Sequence, residues 1–317
     1  MKGIELIATG RGTPGRLVTN DNLAQFVDTN DAWIRERTGI VSRYFCAENE
    51  GGVDLATQAA QSALSRSGVA PESIGACIVA TVSPDSMTPS TANMVAARLR
   101  LPLDIPSFDI GAACSGFLYA LQVAQGLLTP ARPYAIVVGC EVLSRLLDFT
   151  DRSTCVLFGD GAGAAVVKRC EDASYYSVLG AEADPEAILV EGPAAPKSTI
   201  HMDGRKVFRF AVQAIPKVIH ALLEQSGLSL SDIDEVVCHQ ANSRIIDHVI
   251  KKLKADPAKF YQNMDRYGNT SAASIPMALD ELSELGRLKP GARIMCVGFG
   301  AGLTWGGAII RKQNSYD

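Results

Sequence analysis

The sequence is poor in histidine and in aromatic residues: four His and two Trp stand among 317 residues, and Phe, Trp and Tyr together make up 6%. No apolar run reaches the ~18–20 residues that a membrane-spanning helix requires. No basic excess exists either. Thirty Lys and Arg face 34 Asp and Glu, a net charge of −4, which excludes a global positive field for nucleic acid. The eight cysteines include no C-x-x-C pair, which argues against a zinc ribbon or a thioredoxin-type redox site. The opening M-K-G-I-E-L-I-A-T-G lacks an apolar stretch of signal-peptide length, so a cytoplasmic protein is expected.

What is present is ordinary globular composition, 47% hydrophobic and 20% charged. The length predicts about two domains. Cys77, Cys238 and Cys296 sit inside apolar strand-like runs and read as core thiols in a reducing compartment. Hydrophobic periodicity predicts helices over 55–66 and 115–128, and strands over 76–81, 105–110 and 134–139. That alternation argues for an α/β fold whose strands are buried on both faces. The same order recurs: S-G-V-A-P-E-S-I-G-A-C-I-V-A (67–80) matches S-G-L-S-L-S-D-I-D-E-V-V-C-H (226–239) at an offset of 159. At that offset Y-A-I-V-V-G (134–139) falls on R-I-M-C-V-G (293–298). An internal duplication is expected, with an N-terminal half over 1–170 and a C-terminal half over 171–317. The turn-rich A-D-P-E-A and E-G-P-A-A-P-K lie at the junction.

Three residues stand out as chemistry. Cys114, in F-D-I-G-A-A-C-S-G-F, ends a strand, and a helix begins at about Ser115. A thiol there feels the positive end of a helix dipole, which favours thiolate, and free N–H groups could receive an oxyanion; the alternative is one more buried cysteine. His239 closes a strand, where α/β sites gather, whereas His220 and His248 fall in helical patterns and His201 in a polar loop. Asn269, in G-N-T-S-A-A-S, occupies the duplicated mate of the Cys114 loop. The run G-D-G-A-G-A (159–164) fits a dinucleotide fingerprint only formally, because a strand and not a helix follows it. G-F-G-A-G-L-T-W-G-G (298–307) could supply a second oxyanion donor.

With D-A-W-I-R-E-R-T-G-I, A-A-C-S-G-F, D-R-S-T-C-V-L-F-G-D-G-A-G-A, H-Q-A-N-S-R-I, R-Y-G-N-T-S-A-A-S-I-P and G-F-G-A-G-L-T-W-G in this order, the chain resembles the β-ketoacyl-acyl carrier protein synthase III family of the thiolase-like superfamily. The resemblance spans essentially the whole chain. It implies a layered αβαβα fold and a Cys114–His239–Asn269 triad that condenses an acyl-CoA with malonyl-acyl carrier protein. Backbone N–H groups of Cys114 and Ala301 would hold the oxyanion. Ala301 replaces a family glycine, which is tolerable if its φ is negative. Trp33 and Arg152 would sandwich the CoA adenine, Arg37 would meet phosphate, and Met202, Gly204, Phe208 and Asn242 would line the pantetheine channel. Arg205 departs from the Asn of a close relative.

Carrier-protein docking would map to Gln240, Ala241, Asn242, Ser243 and Arg244, with Lys251, Lys252 and Lys254 beyond. Thr88, Met87 and Phe158 would shape the acyl pocket, Thr88 from the partner subunit of a homodimer. Acetyl-selective relatives carry Phe at the Thr88 position, so the smaller residue implies starters longer than acetyl. The resemblance implies no metal, no cofactor beyond the substrates, no nucleic acid and no membrane. Two readings stay open beside it: a starter-unit enzyme of polyketide or alkylquinolone synthesis, and a cysteine hydrolase of acyl-CoA.

Overall fold

The computed structural model describes residues 3–172, 175–192 and 198–314. The strands are β1 (Gly3–Gly12), β2 (Arg16–Thr19), β3 (Ser42–Phe45), β4 (Ile74–Ala80), β5 (Ser107–Ile110), β6 (Tyr134–Glu141), β7 (Gly161–Cys170), β8 (Tyr175–Ala181), β9 (Ile188–Val190), β10 (Ile200–Met202), β11 (Glu235–Cys238), β12 (Arg293–Gly300) and β13 (Thr304–Lys312). The helices are α1 (Asn20–Leu23), α2 (Asp31–Thr38), α3 (Gly52–Ser67), α4 (Thr91–Arg98), α5 (Gly116–Leu127), α6 (Arg152–Cys155), α7 (Gly204–Ser226), α8 (Ser243–Leu253), α9 (Met264–Tyr267) and α10 (Ser274–Glu284). None is long and apolar enough to cross a membrane among the described residues.

One mixed sheet runs in the order β11-β12-β13-β1-β7-β6-β4-β5, with β8 added to β13. Its strands are near-continuous apolar runs because both faces are covered. Along β4, Ala76, Ile78 and Ala80 point to one face, and Cys77 and Val79 to the other. The first set meets a central layer made by α5 and α10, through Phe117, Leu121, Ile275 and Leu279. The second set packs under α3 and α4, while α7 and α8 cover the far face of β11–β13. The two ends of this sheet lie on opposite sides of α5 and α10, so the layers run helix, sheet, helix, sheet, helix.

The parallel pair β4–β6 aligns Ala76 with Ala135, and the pair β11–β12 aligns Glu235 with Ile294. Both partners in the second pair lie 159 residues beyond those in the first. Short 3-10 turns, at Ala113–Ser115 and Ser271–Ala273, precede α5 and α10. The predicted elements match within a few residues at their ends. His201 differs: it lies in the short strand β10, bonded to the Thr199 hydroxyl at 3.1 Å. A-D-P-E-A forms a turn before β9, while most of E-G-P-A-A-P-K lies outside the described residues.

Helix α10 is anchored to the other half by charge. Fully buried Asp280 accepts hydrogen bonds from Thr9 on β1 (3.0 Å), Arg11 (2.8 Å) and Arg66 on α3 (2.6 Å). Burial opposes its ionisation and the two guanidinium groups support it. Asp280→Ala leaves Arg11 and Arg66 with only the more exposed Glu284 as a shared acceptor. Screening of the half-exposed Arg66 places the cost near the low end of the range for broken buried pairs, about 3 kcal/mol, to be read by denaturant unfolding.

Candidate active site

The chain enters the Cys114 turn from β5 through Ala112 and passes left-handed at Ala113, φ 45°. The turn is tight because its neighbours have no side chains: a Cβ on Gly300 would stand 2.7 Å from the Cys114 nitrogen and 2.9 Å from its Cβ. The predicted helix at Ser115 therefore begins as a 3-10 turn, with α5 starting at Gly116. Cys114 is 8% exposed. Burial pushes its thiol up to about 12, against the opposing pull of the nearby Ser271 side chain and of the backbone at Cys114 and Ala301. Burial thus opposes the thiolate that the helix end favours, and the resting sulfur keeps its proton.

His239 follows β11, tied by its own N–H to the Val297 carbonyl at 2.8 Å. Its ring is buried against Phe299, centroids 5.3 Å apart, and burial lowers its pKa to about 3. The imidazole is neutral at physiological pH. Nδ1 lies 2.7 Å from Ser274 Oγ, which accepts the Gln240 N–H at 3.4 Å. With Ser274 as the donor of this bond, the imidazole proton sits on Nε2.

Asn269 is strapped to the 157–159 segment through its N–H to Leu157 (2.8 Å) and its carbonyl to Gly159 (3.0 Å). Its Oδ1 accepts the Ser271 N–H at 2.9 Å, so the amide NH₂ is the free end. Cys114, His239 and Asn269 line one cavity of about 110 Å³ together with Phe158, Met202, Gly204, Phe208, Asn242 and Ala301. Among described residues the positive non-glycine φ values belong to Arg100, Ala113, Lys254 and Ser271, so Ala301 meets its backbone condition.

A second, wider hollow of about 770 Å³ shares Gly204, Phe208 and Asn242 with the first and is lined by Arg37, Arg205, Arg209 and Arg244. Asp203 also lines it, with its carboxylate already capping α7 through the N–H groups of Arg205 and Lys206. Arg152 lies over the Trp33 ring at 4.8 Å and Arg37 at 5.7 Å.

Other expected residues are placed differently. Gln240 is 1% exposed; its amide bonds the Cys238 and Tyr261 carbonyls and accepts the Asn263 N–H. It is an internal strut, not a docking residue, because the strand end turns it inward. Arg244, Lys251, Lys252 and Lys254 are exposed. Thr88 and Met87 are exposed in a loop and do not line the cavity of this chain. Arg209 and the supporting Ser271 and Ser274 had gone unremarked, although the last two lie within the Asn269 motif.

A family model described as 3-Oxoacyl-[acyl-carrier-protein (ACP)] synthase III matches residues 108–184, and its C-terminal counterpart matches 223–312. A β-ketoacyl-[acyl-carrier-protein] synthase III from Clostridium acetobutylicum is 44% identical over 98% of this chain and 99% of its own. One from Rhodospirillum rubrum is 45% identical over 95% and 97%. The chain belongs to the synthase III family. It is an acyltransferase of the condensing type, with a thiolase-like fold. The solved synthase III from Aquifex aeolicus VF5 superposes with a TM-score of 0.91 at 42% identity, over 98% of this chain and all of that one. The priming β-ketosynthase of the R1128 polyketide pathway also reaches 0.91, at 32% identity, over 98% of this chain and 97% of that one.

Gly300→Ala tests how tightly this site is built. Its methyl group must displace the Cys114 backbone, so alkylation of Cys114 by iodoacetamide is expected to slow by at least about tenfold while the folded protein persists.

Proposed function

We propose that this chain joins an acyl-CoA starter to malonyl-acyl carrier protein, with Cys114 as nucleophile and His239 and Asn269 as enolate-stabilising donors. The observation that carries it is the meeting of one thiol with two neutral donors, His239 Nε2–H and the Asn269 amide, in one small cavity. Cys114 sulfur attacks the thioester carbon, the Cys114 and Ala301 N–H groups hold the oxyanion, and the CoA sulfur leaves. Malonyl-acyl carrier protein then presents its thioester oxygen to His239 and Asn269. The bond to the carboxylate breaks, carbon dioxide departs, and its electron pair becomes the enolate. The enolate carbon attacks acyl-Cys114, and the carbon–sulfur bond breaks to give the 3-oxoacyl-acyl carrier protein. Neutral donors suit this step because a carboxylate facing the enolate would repel it.

The arm of each substrate would run from the arginine-lined hollow past Phe208 and Asn242 to Cys114. Arg37, Arg205, Arg209 and Arg244 suit the phosphates, and Trp33 with Arg152 suits an adenine that parts their contact. Ser243, Ala241 and Arg244, with Lys251 and Lys252 on α8, form the landing face for the acidic carrier protein. The assignment divides the work between half-chains 1–170 and 171–317, supported by their matched strand register. It includes a homodimer in the cytoplasm, supported by the free edge strand β5 and the exposed Met87 and Met94 on the segments before it.

Mass spectrometry of the protein with acyl-CoAs is expected to find the acyl group on Cys114, and a chase with malonyl-acyl carrier protein to remove it as a 3-oxoacyl product. Loss of the label as free acid instead would make the chain a hydrolase. Ser274→Ala removes the group that keeps the proton on His239 Nε2, so the chase is expected to slow by about 10²-fold while Cys114 labelling is retained. Thr88, small where acetyl-selective relatives carry Phe, sets the starter preference: kcat/KM should be higher for acyl-CoAs of medium chain length than for acetyl-CoA. The reverse order overturns that assignment alone.

A further inference from the structure

Acylation of Cys114 requires its proton to leave, and the site just described has no base for it. His239 is neutral and spends Nε2–H as a donor. Behind Cys114, however, lies a carboxylate that the condensation scheme does not use. Glu141 ends β6 with no exposed surface. Its Oε2 accepts Ser83 Oγ–H (2.5 Å), the Val82 N–H (3.1 Å) and Thr81 Oγ1–H (3.3 Å); its Oε1 accepts Ser271 Oγ–H at 3.1 Å. The Ser271–Ala273 turn packs directly on the Ala113–Ser115 turn, which sets the Ser271 side chain beside the Cys114 thiol.

The directions of these bonds are constrained. Ser83 Oγ accepts the Val142 N–H at 2.8 Å, and Thr81 Oγ1 accepts the Ser83 N–H at 3.1 Å. Both hydroxyl protons are thereby aimed at Oε2. The proton of Ser271 is the movable one, and Oε1 is the oxygen with room for it. Among the described residues no arginine or lysine is a partner of Glu141. The titratable groups that feel its charge are the Cys114 and Cys140 thiols, and Cys140 S–H is turned to the Gly52 carbonyl at 3.2 Å.

We propose that Glu141 is the store for the Cys114 proton, reached through the Ser271 hydroxyl, and that it returns this proton at the end of each cycle. In acylation the thiol proton passes to Ser271 Oγ while the Ser271 proton passes to Glu141. The Cys114 sulfur–acyl bond forms, the acyl–CoA bond breaks, and the CoA thiolate takes a proton from solvent. In condensation the enolate carbon bonds to the acyl carbon and Cys114 leaves as thiolate. Glu141 gives its proton back to Ser271, and Ser271 gives its own to sulfur. The buried pair thus carries one negative charge whether the proton sits on sulfur or on oxygen. Glu141 is also neutral when the enolate forms, which removes a repulsive charge at that moment. Burial raises its pKa to about 7, so the carboxylate can take a proton and release it again.

The proposal rests on Cys114 being the acylated nucleophile, and the experiment keeps the two apart. Single-turnover labelling of Cys114 is measured from about pH 6 to about pH 9 with acyl-CoA and, in parallel, with iodoacetamide. Failure of acyl-CoA to label the wild-type protein would refute the reading of the site; iodoacetamide still reports on the proton. In the wild type, both rates should rise towards pH 7 as Glu141 ionises, then level. Glu141→Gln keeps shape but cannot take the proton, so labelling at pH 7 should fall by at least about tenfold and recover as pH rises and hydroxide replaces the store. Ser271→Ala breaks the path with Glu141 in place; Ala113, at φ 45°, shows that alanine accepts a backbone like that of Ser271, at 48°. It should reproduce the pH-dependent loss, and the double variant should be no slower than either single one. Labelling at wild-type rates at pH 7, or a deficit equal at every pH as a purely structural defect would give, overturns the proposal.

Discussion

Everything at this site depends on two backbone turns being allowed to touch. The turn carrying Cys114 and the turn beyond Asn269 both rise left-handed, at Ala113 and Ser271, into the central helices α5 and α10. They meet under the ends of β6 and β12, and each strand surrenders a side chain to let them in. A Cβ on Gly139 would fall 2.0 Å from the Ala272 carbonyl oxygen, and one on Gly300 would press on Cys114. Only this bareness lets residues 155 positions apart share one small cavity. Two non-glycine residues with positive φ are the conformational cost, of order 1–3 kcal/mol each, and the layers on either side hold them in place.

The same closeness sets the electrostatics. Burial favours neutral forms: the Cys114 thiol is raised, His239 is lowered, and Glu141 is raised, each chiefly by that cause. The imidazole becomes a fixed N–H donor through Ser274, and the Asn269 amide through Ser271. Two donors that carry no charge at rest can stabilise a charge that develops, without having to be freed from a carboxylate partner first. The burial that would help an enolate is what makes the thiol hard to ionise.

Much of this was legible in the sequence because it is written in local pattern. Continuous apolar runs gave away the doubly covered strands, and small residues around Cys114 marked the tight turn. The register match of β4–β6 with β11–β12 follows the offset seen between residues 67–80 and 226–239. What pattern could not carry was direction and depth. Gln240 lies in a polar loop sequence, yet its side chain turns inward to satisfy three backbone groups. Cys114 stands at a helix start, a setting that lowers a thiol pKa, but part of the burial that opposes it comes from Gly300, nearly two hundred positions later. Nothing local to Glu141 marks it, since its partners Ser83 and Ser271 lie 58 and 130 residues away.

The two hollows differ in charge in a way that would divide the work of recognition. The outer one sets four arginines around a space whose acid, Asp203, is already engaged by the start of α7. Like charges gathered this way repel one another until an anion arrives, so the hollow favours phosphate over the thioester end of the same molecule. The inner cavity offers Phe158, Phe208 and neutral donors, and a phosphate entering there would lose its hydration for no opposite charge. A substrate anionic at one end and uncharged at its thioester is therefore aligned before any specific contact forms with Cys114. Malonyl is the exception that proves useful: its carboxylate must enter the neutral cavity, where poor solvation of that charge favours its loss as carbon dioxide.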